Sequence, residues 1–426
     1  MIKAKTTTME LVEECQNEHV RKQMPFSASQ EEMTKEYGNG CVYFFDFIKF
    51  ISIANILLVI LQAVNYIIFA VQEEPNFSGG NSTVGIRSAY HDLFITKYTS
   101  QQKAPWLALN ILSLIYCLIA SPLYYAIMKR RIPEDDPDEY SEPTDVILRY
   151  NDDCTLDVSY HYRGYGELFG RRLVSALVFC ILIAVQVVAS WFITKAEDSA
   201  DLGTAFGIAI LVSVLNIIYT FIARLMTEFE KWEIFSRWKR SLTVKLIFFK
   251  LANIVTVYAS KDYNAIAANS CVYDVIGEQF LTLLIVETFV MNIWEMLLTV
   301  IWAKNYRLYA RVVGSINGDY DNLPPFDLAI EYLEVIYRQY LSILAMVVFP
   351  LSIAFATLGF VMEFWVDKIR LFKICGKPRH MSHSQKEFLA FNLGLVAVVS
   401  FFTPYAGSIW IMAGWTRDVS PLCNFP

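Results

Sequence analysis

Five carboxylates stand at helical spacing in apolar surroundings: Glu295, then Glu331 and Glu334 three apart, then Glu363 and Asp367 four apart. Residues three or four apart share one face of a helix. An ionisable group at membrane depth is costly and marks a functional site by default. Phe349-Pro350-Leu351 lies between the two pairs. If the chain folds back with Pro350 as its hinge, Glu334 lies about 24 Å and Glu363 about 20 Å from the apex, at 1.5 Å per residue. Both pairs then reach one level, and Glu295 approaches it with Asn292 about one turn away. Carboxylates gathered at one depth repel each other unless a cation binds, and hard divalent ions, Ca²⁺ above all, favour such an oxygen-only shell. Glu331 and Asp367 also read as interfacial charge, solvated among headgroups or paired with Arg338, Lys368 or Arg370.

Further polar residues fall inside the apolar runs. Asn216, Tyr219, Thr220, Asn253, Thr256, Glu278, Thr282, Gln339 and Ser342 are candidates to line a water-filled path. Ser, Thr and Asn in membrane helices also bond across helix contacts, so each position has two readings. Glu287 falls mid-helix and reaches neither interface, so it is either paired or wet. Arg338 is its expected partner or a charge of the permeation path.

The elements that must position these groups are helices that cross a bilayer. Apolar residues make up 55% of the chain and charged ones 18%, and the apolar residues fall in long blocks. About 20 such residues span the hydrocarbon core. By that ruler spans are expected at 44–71, 106–128, 172–194, 204–226, 242–259, 275–302, 335–348, 350–366 and 387–414. The expected fold is an all-α polytopic membrane bundle of about nine spans. Lys and Arg crowd 129–172, 224–250, 303–312 and 367–386, and are sparse in 72–105, 195–203 and 260–274. Basic residues accumulate on the cytoplasmic side. The stretches on both sides of 330–366 are basic, so the seventh and eighth spans form a hairpin about Pro350.

The expected organisation is a cytoplasmic segment 1–40, a helix bundle 41–415, an outer loop 72–105, a cytoplasmic loop 129–171 and an outer end 416–426. The first forty residues are polar and mixed in charge, which predicts no cleavable signal peptide and a cytoplasmic N-terminus. Asn76 and Asn81 head Asn-x-Ser/Thr triplets in the long outer loop, and are expected glycosylation acceptors. Trp106, Trp191, Trp302 and Trp415 near span ends read as interface anchors.

Several classes are excluded. The net charge of −6 gives no support for nucleic-acid binding. The eight cysteines form no CxxC or Cys/His cluster, which argues against zinc and a disulfide scaffold. GxSxG, P-loop, HExxH and Rossmann signatures are absent, and Asp46 in the first span has no acidic mate, so no enzyme is expected.

Several runs converge on known families. Cys271 through Gly277-Glu278-Gln279 resembles the Cys-Trp-Glu-Thr…Gly-Gln-Glu signature of the transmembrane channel-like (TMC) proteins, with Val272 and Tyr273 replacing Trp and Glu. Phe326-Asp327 through Tyr337-Arg338-Gln339 and the ending Cys423-Asn424-Phe425-Pro426 are similar to runs of that family, whose signature region covers 271–380. Ser241 through Asn253 resembles the fifth helix of the anoctamins, a branch of the same superfamily. The series Glu331-x-x-Glu334, Pro350, Glu363-x-x-x-Asp367 resembles their calcium-binding pattern. The resemblance implies a homodimer in the plasma membrane, with ten helices per protomer and a groove bounded by helices four to eight. It also implies Ca²⁺ ligands at Glu295, Glu331, Glu334, Glu363 and Asp367, with Asn292, and auxiliary membrane or calcium-binding subunits. A counterpart of the tenth helix is not found after Pro426. The expected activity is a mechanically or calcium-influenced cation channel; the alternatives are a calcium-activated lipid scramblase and a non-conducting adaptor of a mechanosensory complex.

Overall fold

Long runs of Leu, Ile, Val, Phe and Ala with few breakers build the chain as helices, because only intra-segment hydrogen bonds satisfy a backbone inside lipid. The structure is a computed structural model and describes residues 24–37, 39–72, 103–131, 164–195, 202–232, 235–267, 272–305, 323–324, 326–346 and 349–376. In chain order the elements are α1 (Gln30–Tyr37), α2 (Asn39–Gln72), α3 (Lys103–Arg131), α4 (Tyr165–Lys195), α5 (Leu202–Phe229) and α6 (Phe235–Ala267). They continue with α7 (Val272–Ile285), the π-helical turn π1 (Val286–Met291), α8 (Asn292–Lys304), α9 (Leu328–Met346), α10 (Ser352–Ile369) and π2 (Arg370–Ile374). No β-strand occurs among the described residues. The chain is an all-α, polytopic integral membrane protein in contact with the lipid bilayer. The stretches Gly40–Val64, Leu107–Tyr124, Tyr165–Ala189 and Phe280–Lys304 are each long and apolar enough to cross a bilayer.

Each expected span from 44–71 to 350–366 falls on a described helix. The ninth, 387–414, lies outside the described residues, as do Asn76, Asn81, Cys271, Trp415 and 416–426. Two details differ from expectation. The sixth span is not one α-helix, since π1 interrupts it between Ile285 and Asn292. The fifth is longer than its apolar run and begins at Phe235, because polar residues continue the helix beyond the hydrocarbon.

Burial sorts the helices. On α9 every described residue from Glu331 to Met346 is buried except Glu334. A helix enclosed on all sides is the centre of its bundle. It packs on α2, α6, α7 and α10. By contrast α4 exposes Leu173, Leu177, Ile181, Val185, Val188 and Phe192, an apolar face suited to lipid. The α9–α10 hairpin turns where expected: Pro350 lacks an amide donor, Phe349 N–H donates to Ala345 O at 2.7 Å, and Ser352 Oγ donates to Ser342 O at 3.0 Å.

A reciprocal cap starts α1. Glu32 N–H donates to Ser29 Oγ at 3.2 Å, and Ser29 N–H donates to Glu32 Oε2 at 2.8 Å. Tyr37 then stacks on Phe372 of π2 with ring centroids 5.7 Å apart, and Phe26 stacks on it at 6.2 Å. Lys368 Nζ donates to Phe26 O at 2.8 Å. These contacts hold residues 24–37 against the end of α10.

Candidate ion site

Three helices meet at one site: α8 begins there, directly after π1, α9 starts there and α10 finishes there. Glu295, Glu331 and Asp367 each point one carboxylate oxygen inward, and those oxygens lie within 4.8 Å of one another. Glu331 is 2% exposed and Asp367 fully buried. Glu331 sits in the first turn of α9, where the amide end of the helix dipole favours a negative charge. Half-buried Glu334, one turn further along α9, faces Glu295.

Arg370 closes the group. Its Nη1 donates to Asp367 Oδ1 and to Glu331 Oε2, both at 2.9 Å, and lies 2.5 Å from Glu295 Oε1. Its Nη2 donates to Glu331 Oε1 at 3.0 Å, so Glu331 is held at both oxygens. Nε donates to Thr299 Oγ1 of α8 at 3.1 Å, and the guanidinium lies 5.5 Å from the Phe326 ring centroid. A planar fork against a carboxylate is the strong form of this contact. Three carboxylates against one guanidinium still leave two formal negative charges.

Orphaned oxygens mark the same place. Asp367 Oδ2, Glu295 Oε2 and Asn292 Oδ1 are buried with no hydrogen-bond donor. Asn292 donates its own amide to Thr288 O at 2.6 Å, which leaves the acceptor free. Buried acceptors without donors are expensive, and a hard cation satisfies such oxygens.

Glu363 lies apart from the converging triad. Arg338 of α9 forms an ion pair with it, both side chains almost completely enclosed. Arg338 Nη2 also donates to Glu287 O in π1 at 3.1 Å, and its guanidinium lies 5.5 Å from the Phe360 ring centroid. Gly359 makes room, because a Cβ there would stand 2.9 Å from Arg338 Cδ. Arg338 thus faces Glu363 and the backbone of Glu287, the latter also buried.

The remaining polar candidates divide. Gln339 exchanges amide bonds with Asn55 of α2 at 2.8 and 2.9 Å. Ser342 donates to Gln339 O, and Thr256 to Ala252 O within α6. Tyr219 of α5 stacks on Phe249 of α6 at 4.6 Å. Thr282 is buried and Thr220 half-buried. Asn216, Asn253 and Glu278 sit on α5, α6 and α7, and their side chains lie outside the described residues.

Sequence reasoning missed a second buried charge centre. Glu230, after α5, accepts from Ser175 of α4, Trp232 and Ser241 of α6, each at 2.6 Å, and pairs with Lys245 at 2.7 Å. Burial alone would raise the Glu230 carboxyl, but the bonds from Lys245, Ser175, Ser241 and Trp232 outweigh it and hold it below its ordinary value. Its one signal in the sequence is an acid beside a basic run, easily taken for solvated surface.

No individually curated protein matches the chain. A family profile described as "Anoctamin: Calcium-activated chloride channel" matches residues 152–406, well over half the chain and all of α4 to π2. With a helical membrane bundle and a carboxylate centre at the ends of α8, α9 and α10, that match places this chain in the anoctamin family.

Proposed function

We propose that this chain is a calcium-regulated ion channel, conducting along a groove bounded by α5 to α10. The observation that carries the reading is the convergence of Glu295, Glu331 and Asp367 from three helices beside orphaned acceptor oxygens. The donor set fits Ca²⁺: carboxylates plus the Asn292 amide oxygen, without nitrogen or sulfur ligands. Glu295, Glu331 and Asp367 would hold the ion, with Glu334 and Asn292 beside them. A bound ion supplies positive charge where the helix ends otherwise repel.

The finer TMC resemblance favours cation conduction with mechanical influence, since acidic side chains draw cations into a groove. The family description names chloride, so a chloride current overturns the cation part alone. The scramblase alternative gains limited support from a cavity of about 500 Å³ lined by Ile183, Val187, Trp191, Phe248, Leu251, Ala252 and Thr256. That lining suits acyl chains, while its one hydroxyl, on Thr256, is spent on Ala252 O. We also infer a cytoplasmic N-terminus, glycosylation at Asn76 and Asn81, and a homodimer in the plasma membrane.

Reconstitution into liposomes tests the activity. Calcium-dependent ion flux without lipid flipping supports the channel. Flipping without flux favours the scramblase, and neither, from a folded protein, favours the adaptor.

A further inference from the structure

We infer that Arg370 is a tethered cation that occupies the carboxylate centre of the ion-free protein, and that a divalent ion enters by displacing it. This rests on reading Glu295, Glu331 and Asp367 as the ion site, and adds a regulatory part that the three acids do not imply.

Contact geometry makes the case. Arg370 reaches every member of the triad, through Nη1 to Glu295, Glu331 and Asp367 and through Nη2 to Glu331 again. Both oxygens of Glu331 are therefore committed to the guanidinium. An ion cannot take Glu331 while that two-point contact persists, because acceptor lone pairs and space are shared. Two positive centres within one carboxylate shell also repel strongly at low dielectric. Yet Asp367 Oδ2, Glu295 Oε2 and Asn292 Oδ1 remain unsatisfied, so the arginine offsets part of the negative charge without filling the coordination. A guanidinium donates in one plane, whereas a metal ion gathers oxygens from all sides.

The departure of Arg370 has somewhere to be felt. It opens π2, and its carbonyl accepts from Cys375 N–H at 2.7 Å. Phe372 of the same turn stacks on Tyr37 and Phe26, and Gly376 N–H donates to Pro324 O at 3.0 Å just ahead of α9. Displacing the side chain loads this turn, and through it residues 24–37. Ion entry is thereby coupled to the segment that precedes the first span.

The experiment measures equilibrium ⁴⁵Ca²⁺ binding to the full chain in lipid nanodiscs. Arg370→Gln is expected to bind Ca²⁺ about tenfold or more tighter than wild type, while Arg370→Lys, which keeps the charge, stays close to wild type. Wild-type binding with unchanged or weaker binding by Arg370→Gln overturns the displacement and leaves the site reading standing. Absence of binding in both proteins overturns the site reading and the displacement with it. A second readout needs no variant: maleimide labelling of buried Cys375, followed by mass spectrometry of its peptide, should accelerate when Ca²⁺ binds wild type. Labelling that does not change while Ca²⁺ binds overturns the coupling to π2.

Discussion

Arg338 of α9 and Glu363 of α10 form an ion pair across the Pro350 hairpin, with side-chain exposures of 2% and 1%. Burying two charges in this way contributes little net stability, but removing one partner strands the other. Glu363→Gln is therefore expected to destabilise by about 3–5 kcal/mol, while Arg338→Met with Glu363→Leu recovers most of that loss. Thermal unfolding in detergent, followed by intrinsic fluorescence, reads both. A single variant as stable as wild type would show that the pair is not held dry.

Gly359 is the space through which Arg338 passes. A Cβ at 2.9 Å from Arg338 Cδ and 3.0 Å from Thr288 Oγ1 forces the arginine off its position, and both neighbours are fixed in the packed interior. Gly359→Ala should cost about 1–3 kcal/mol, the usual range for overpacking. The same melting assay checks it, and Gly170→Ala, where a Cβ meets nothing within 4 Å, is the control.

Asn55 and Gln339 satisfy each other across the α2–α9 contact. Asn55→Leu should lower stability by about 1 kcal/mol, and Asn55→Leu with Gln339→Leu by less than the sum of the two single changes. Additive losses in a double-mutant cycle would mean that the amides do not act as a pair.

How much of this was legible beforehand differs by feature. The helices were readable because a long apolar run has one stable outcome in lipid. The hairpin was readable because basic residues on both flanks of 330–366 demand an even number of crossings. The π1 turn was not, since an extra residue in a helical turn leaves composition and hydrophobicity unchanged. The Asn55–Gln339 pair joins residues 284 apart, which no local pattern can announce. The acids at helical spacing were visible, and Arg370 stood among their possible partners; that it reaches three of them at once depends on the turn geometry of π2. Likewise Arg338 was set in expectation beside Glu287, whose carbonyl does accept from its Nη2, but its ion pair with Glu363 was not foreseen.

Glu230 predicts a pH response. Its carboxyl titrates lower in the folded chain than its ordinary value of 4.5. Such a group contributes stability that is complete above the unfolded value and is lost as pH falls through the folded one. Melting temperature in detergent should therefore decline as pH drops below 4.5. Glu230→Gln should melt lower at neutral pH and show a shallower acid decline. An identical acid slope in both proteins would remove Glu230 from the account.

The central claim is that Glu295, Glu331 and Asp367 form one divalent-ion site. Its most direct measurement is Ca²⁺ binding to the purified full chain, comparing wild type with Asp367→Asn and with Glu331→Gln. The account predicts saturable binding by wild type and affinity weakened at least about tenfold in each variant, as loss of a charged oxygen ligand requires. Wild-type affinity retained in both folded variants would contradict it.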